Sequence, residues 1–164
     1  MSGQLMLLLK LTRVSPTHHR LEYLREEGTG ESAEIETKSF LFHDFVHFAL
    51  ETEAHLAGGF FGLLDRGHTY AELSGKTSAV HESEEAMLVE QATGVMTGVI
   101  KKMATAEDAI AAFKNLQDGY GKPSPAWLNT DLIKRVVERH RKLLGHWNSM
   151  RFGETLELEF DPKG

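Results

Sequence analysis

The six residues Thr155-Leu156-Glu157-Leu158-Glu159-Phe160 alternate polar and apolar without error, the pattern of a strand with one wet and one buried face. Such a strand needs neighbours, and the other end of the chain supplies them. Gln4 to Arg13 is dominated by Leu and Met, and Val14-Ser15-Pro16-Thr17 closes it with a proline turn. His19 to Arg25 alternates, with Leu21 and Tyr23 on one face and Arg20 and Glu22 on the other. A polar, glycine-bearing loop (Glu26 to Glu31) follows, after which Ala33, Ile35 and Thr37 alternate with Glu34 and Glu36. These features predict three short antiparallel strands in a meander, joined by the C-terminal strand into a sheet of about four strands.

Between the two strand regions the period becomes helical. Ser39 caps an expected helix that carries Phe40-Leu41-Phe42 and runs through Leu56, with Gly58-Gly59 ending it. Phe60 to Leu64 reads as a short helical turn, Thr69 and Glu72 open a brief helix through Leu73, and Ser74 to Val80 reads as loop. Ser83, followed by two glutamates, starts a helix with Leu88, Ala92, Val95, Met96 and Val99 at helical spacing. Thr105 with Asp108 opens the next, which ends at Asp118-Gly119. Asn129-Thr130-Asp131 caps a last long helix whose end is expected near Gly145. Gly94 and Gly98 predict the close approach of a neighbouring helix. Strands, a block of helices and a final strand make an α+β fold, expected as one domain over residues 1–164.

Composition removes whole function classes. The chain has no cysteine, so disulfide scaffolds, thiolate zinc sites, iron–sulfur clusters and cysteine nucleophiles are excluded. No apolar run approaches the roughly 18 residues needed to cross a bilayer. The run Met6-Leu7-Leu8-Leu9 is short, lacks a basic start and leads to no small-residue cleavage site, so it reads as a strand rather than a signal peptide. A soluble, cytoplasmic protein with no membrane partner is the expectation. The chain carries neither common phosphate-binding glycine loop, nor a Gly-x-Ser-x-Gly nucleophile elbow.

The run Phe42-His43-Asp44-Phe45-Val46-His47-Phe48-Ala49-Leu50-Glu51, then Gly59-Phe60-Phe61-Gly62-Leu63-Leu64 and Gly67-His68-Thr69, resembles a group of uncharacterised bacterial proteins. The closing Gly153-Glu154-Thr155-Leu156-Glu157-Leu158-Glu159 resembles the Gly-Glu-x-x-Glu-Leu-Glu-like strand of the same group. The resemblance spans most of the chain. It implies a bacterial source and the α+β architecture, and it carries no activity across.

Chemistry concentrates on the first long helix. His43, His47, Glu51 and His55 stand at four-residue steps and drift from about 0° to about 120° around the axis, with Asp44 inside the same arc. The rest of the circumference is almost wholly apolar, so the helix is expected to be buried and its polar arc to face solvent or a walled groove. His43-Asp44-x-x-His47 is one methylene short of the zinc-protease pattern His-Glu-x-x-His, in which two histidines one turn apart bind zinc and the glutamate polarises water. His43 and His47 are the candidate metal ligands, and Asp44 and Glu51 the candidate catalytic carboxylates. The shorter Asp44 puts peptidase activity in doubt but leaves metal binding intact. Glu51 lies about 12 Å along the axis from His43, too far to share its ion. A third ligand must come from elsewhere, and His68 is the nearest candidate in sequence. Imidazole plus carboxylate suits a divalent zinc, nickel, iron or manganese ion. The plainer alternative is that the histidines only hydrogen-bond to backbone or carboxylates.

The last helix has its own polarity. Six basic residues (Lys134, Arg135, Arg139, Arg141, Lys142, Arg151) face two acidic ones (Asp131, Glu138) between Asp131 and Arg151, a balance of +4 in a chain of net charge −6. Two function classes therefore stay open. One is a metal-dependent activity, hydrolytic in kind, acting on a small molecule. The other is a non-enzymatic interaction or regulatory module that docks an acidic protein, or a second copy in a homo-oligomer, on that helix. Nucleic acid is not an expected partner. Leu63-Leu64-x-x-Gly67-x-Thr69-x-x-Glu72-Leu73 has the spacing of half a helix-turn-helix, but between Gly59 and Glu90 two basic residues stand against six acidic ones. Titration with duplex DNA or RNA at low salt is expected to show at most weak binding, and a tight, steeply salt-dependent complex would contradict the charge argument.

Overall fold

The computed structural model describes residues 6–74 and 83–162. The alternating segments form strands β1 (Leu7–Arg13), β2 (His18–Leu24), β3 (Gly30–Glu36) and β4 (Thr155–Phe160). They make one antiparallel sheet in the order β3-β2-β1-β4, so the C-terminal strand joins the meander at the outer edge of β1. The register aligns the apolar positions: Leu9 faces Tyr23 and Leu158, and Leu11 faces Leu21 and Leu156. A slip of one residue would turn all of them to water, so the alternation specifies pairing as well as strand type. The first two residues of the expected first strand, and all but Ser74 of the expected loop, lie outside the described residues.

Helices follow the expected order: α1 (Thr37–Glu53), α2 (Phe60–Asp65), α3 (Tyr70–Ser74), α4 (Glu84–Ile100), α5 (Ala106–Gly119) and α6 (Thr130–Ser149). Four starts match their capping signals, the first being that of α3, where Thr69 Oγ1 accepts from the Glu72 amide. Ser83 accepts from the Ala86 amide, Thr105 and Asp108 form a reciprocal capping box, and Asn129 accepts from the Leu132 amide. Three details differ. α1 begins at Thr37 with Glu36 as its N-cap, and Ser39 sits in the first turn, donating to Glu36 Oε1. α6 continues through Gly145 to Ser149, where Arg13 Nη1 donates to the carbonyls of Trp147 (3.3 Å) and Met150 (2.7 Å). A cation on the last carbonyls opposes the negative helix end, which a glycine stop would not do. Among the described residues a Cβ on Gly94 would meet nothing within 4 Å and one on Gly98 only the Ala104 Cβ at 4.0 Å, so the expected close approach of a neighbouring helix is not found there.

α1 is sandwiched. Leu41, Phe45 and Phe48 pack on the buried sheet face with Leu9, Tyr23 and Phe160. Its opposite side, Val46, Ala49 and Leu50, packs with Val89 and Met96 of α4, Phe113 of α5 and Ile133 of α6. A helix clad on both sides needs apolar residues nearly all round, which explains its composition. Each fully buried side chain of this kind stabilises the fold by roughly 1.5–3 kcal/mol.

His19 is a polar exception in this core. It is fully buried, its Nδ1 lies 2.9 Å from Thr37 Oγ1, and its ring meets the Trp147 ring edge-on with centroids 5.5 Å apart. Its Nε2 has no hydrogen-bond partner among the described residues. Burial, with a smaller contribution from the charge of His18, pushes its pKa down to about 4. A depressed histidine pKa means that the unfolded chain takes up the proton first, so this site costs stability as pH falls from about 6.5 towards 4. In chemical denaturation, His19→Leu is expected to shrink the stability lost between pH 7 and pH 4.5 by about 2–3 kcal/mol. An unchanged loss would contradict a neutral, buried His19.

Candidate metal centre

The polar arc of α1 splits into three environments. His43 and His47 turn towards α4, where Glu90 meets them. His43 Nε2 lies 3.1 Å from Glu90 Oε1, His47 Nε2 lies 3.0 Å from Glu90 Oε2, and the two imidazole Nε2 atoms are 3.1 Å apart. One ligand atom from each residue falls within 4.8 Å of the others, a group that can hold a metal ion. Metal–ligand bonds of about 2.0–2.1 Å at tetrahedral angles place neighbouring ligand atoms about 3.3 Å apart. The observed edges are thus close to those of a coordination polyhedron. His47 is buried, Glu90 is half-buried and His43 reaches solvent, which leaves one side of the group open.

Glu51 belongs to the interior behind this group. It is fully buried, and its Oε2 lies 3.1 Å from His47 Nδ1 and accepts from the Phe60 amide at 2.8 Å. Its Oε1 accepts from the amides of Phe61 (2.9 Å) and Gly62 (3.3 Å). Both oxygens are therefore engaged, and Glu51 is not part of the pocket lining. Glu51, expected as a catalytic carboxylate, stands behind His47 rather than among the pocket side chains, and its bonds hold the rotation of the His47 ring and anchor the first turn of α2. Gly59 makes this possible, because a Cβ there would overlap the Glu51 carboxylate. The Gly58-Gly59 pair read as a helix stop also makes room for a buried carboxylate.

Asp44 lies in the pocket with the histidines. The Tyr70 hydroxyl donates to its Oδ2 at 2.7 Å. The pocket, of about 140 Å³, has Phe40, Phe60, Tyr70 and Leu73 as its apolar walls, while His43, Asp44, His47 and Glu90 supply its charge. Phe60 stands with its ring centroid 5.5 Å from that of His47, whereas Phe61 turns into the core against Phe48 and Phe160. His68, the third ligand expected from sequence, is not brought to the group. Its Nδ1 pairs with Glu72 at 3.2 Å near the surface, and its carbonyl accepts from Arg25 Nη2. Arg25 also donates to Leu64 O, so its side chain pins the turn after α2 at both ends. His55 lies beyond the end of α1, with φ at 55° and Nδ1 3.2 Å from Pro162 O.

Glu90 is the residue that sequence reasoning missed. In the sequence it stands only as one of the six acidic residues between Gly59 and Glu90 that argue against nucleic acid. A signal was present: Ala86, Glu90 and Thr93 follow i, i+4, i+7 spacing, and Ala86 and Thr93 are buried. That spacing puts Glu90 on the seam of α4, although nothing in the sequence says which helix the seam meets.

The electrostatics agree with a cation site. Burial alone would push the His47 imidazolium down, but hydrogen bonds and charge from Glu51 and Glu90 override it and raise its pKa to about 10. Burial would likewise push the Glu90 carboxyl up, yet the hydrogen bonds and charges of His43 and His47 hold it well below the usual carboxylate range. Asp44 is raised to about 6, chiefly by burial and against the opposing Tyr70 hydrogen bond. Two carboxylates around one imidazole thus stabilise a positive charge, carried here by a proton. A divalent ion on the same three ligand atoms would take its place. A comparison of the chain with protein-family models, with curated proteins and with solved structures finds no match.

Proposed function

We propose that this protein binds a divalent transition-metal ion through His43, His47 and Glu90 and uses it in hydrolysis of a small substrate. The observation that carries the reading is the orientation of His47: one ring nitrogen faces the other two ligand atoms while a buried, four-fold-bonded Glu51 holds the other. A metal-ligating histidine almost always donates its other ring N–H to such a partner, which orients the ring and raises its basicity. Zinc, nickel, iron and manganese all suit two imidazoles and one carboxylate. Held by these residues, such an ion would act as a Lewis acid and would make a bound water more acidic. Asp44 is the pocket carboxylate outside the three candidate ligands, held by Tyr70 on one oxygen, and in this reading it would receive the proton. The aromatic walls and a volume of about 140 Å³ restrict the substrate part that enters to about the size of one ring.

Isothermal titration of the apo-protein with Zn²⁺ is expected to show one site. His47→Ala and Glu90→Ala are expected to abolish tight binding, and Glu51→Gln to weaken it about 10- to 100-fold. Binding must displace the proton that His47 holds up to about pH 10, so the enthalpy should depend on the buffer and affinity should fall as pH falls. Equal affinity in the His47→Ala/Glu90→Ala double variant would remove the site. For the chemistry, the zinc-loaded protein is to be assayed with p-nitrophenyl acetate. Asp44→Asn is expected to keep metal affinity and to lower turnover about 10²- to 10⁴-fold. Unchanged turnover would assign Asp44 to structure alone.

A further inference from the structure

The basic face of α6 is not part of the metal centre, and it borders the open edge of the sheet. β4 pairs with β1 on one side, and among the described residues no strand pairs with its other side. Between this edge and α6 runs a groove of about 620 Å³. Leu143 and Leu158 form its apolar floor, and Lys134, Arg135, Arg139 and Lys142 line the α6 side. Three carboxylates also line it, of which Glu138 pairs with Arg141 and Glu157 with Lys10. Arg135 and Arg139 pair with Glu53 at 3.1 and 2.6 Å, while Lys134 and Lys142 have no ion-pair partner among the described residues. Lys134 and Lys142 are about 12 Å apart along the helix, close to the roughly 13 Å that separates residues i and i+4 of an extended chain.

We propose that this groove takes an extended acidic segment of a partner protein, which adds to β4 as a fifth strand and sets carboxylates against Lys134 and Lys142. An open edge offers main-chain hydrogen bonds of any sequence, and the flanking side chains then choose the partner. Here the choice is of charge, with every second residue of the segment a carboxylate turned to the α6 side and small apolar residues between them on the opposite face. Pairing of β4 with β4 of a second copy is disfavoured by the same charges, since it would bring two basic α6 flanks alongside each other. The remainder of the chain is acidic (net −10 outside residues 131–151, from 12 basic and 22 acidic residues), so the unpaired Lys134 and Lys142 are local positive charges on an otherwise acidic protein.

The test uses the full chain and a fluorescein-labelled peptide of four Glu-Val repeats, with four Lys-Val repeats as its control, in anisotropy titrations at low salt. The Glu-Val peptide is expected to bind and the Lys-Val peptide not to. Lys134→Glu/Lys142→Glu, both exposed, should weaken the complex about tenfold or more, because two attractive pairs become repulsive. Hydrogen exchange should slow at the amides of residues 155–160 when the Glu-Val peptide is bound. Absence of binding, equal binding of both peptides, an unaffected charge-reversal variant or protection confined to other elements would each overturn the proposal. So would a dimer by light scattering with the β4 amides protected before any peptide is added.

Discussion

Glu51 is the point on which two parts of the molecule converge. A fully buried carboxylate is expensive unless every lone pair is engaged, and here one imidazole nitrogen and three backbone amides engage them. The same bonds that offset its desolvation set the direction of α2 relative to α1 and the rotation of the His47 ring. The position of Phe60 follows, and with it one wall of the pocket. Removing the carboxylate would leave buried amides and an imidazole unpaired, a cost of about 1–3 kcal/mol per group. Structure and candidate chemistry therefore rest on a single side chain that touches neither solvent nor the pocket.

The double burial of α1 complements this. With the sheet on one side and α4, α5 and α6 on the other, the helix cannot rotate without exposing large apolar residues. A site built on such an element has a fixed direction, which a two-histidine pair needs if its nitrogens are to converge on one point. The other two members of the group are less enclosed: Glu90 reaches in from α4, and His43 stands at the open rim. The pocket thus combines a buried imidazole, a half-buried carboxylate and an exposed second imidazole.

Much of this architecture was legible in the residues. The alternation in Leu21, Tyr23, Ile35, Leu156, Leu158 and Phe160 marks strands because side chains one residue apart point to opposite faces. Ser83, Thr105 and Asn129 mark helix starts because free amides at a helix end need a nearby side-chain acceptor. Both signals are local, and both were met. Helix ends were less legible. α6 runs past Gly145 because Arg13, far away in sequence, caps its final carbonyls. The i, i+4 spacing of His43 and His47 likewise places both imidazoles on one edge of a helix, and the structure finds them 3.1 Å apart at Nε2.

The sequence by itself determined the α+β class, the order of the elements, the helix that carries the histidines and the side of that helix on which they stand. Each of these follows from spacing within one element, where backbone geometry converts position directly into direction. Only the tertiary structure decided that Glu90 rather than His68 completes the group, that Glu51 lies behind His47 rather than in the pocket, and that Asp44 meets Tyr70. Those are contacts between elements, set by the packing of α1 against α4 and by the turn that Arg25 and Glu51 hold in place. A contact across separate helices depends on how whole apolar faces fit together, and no short run of residues contains that information.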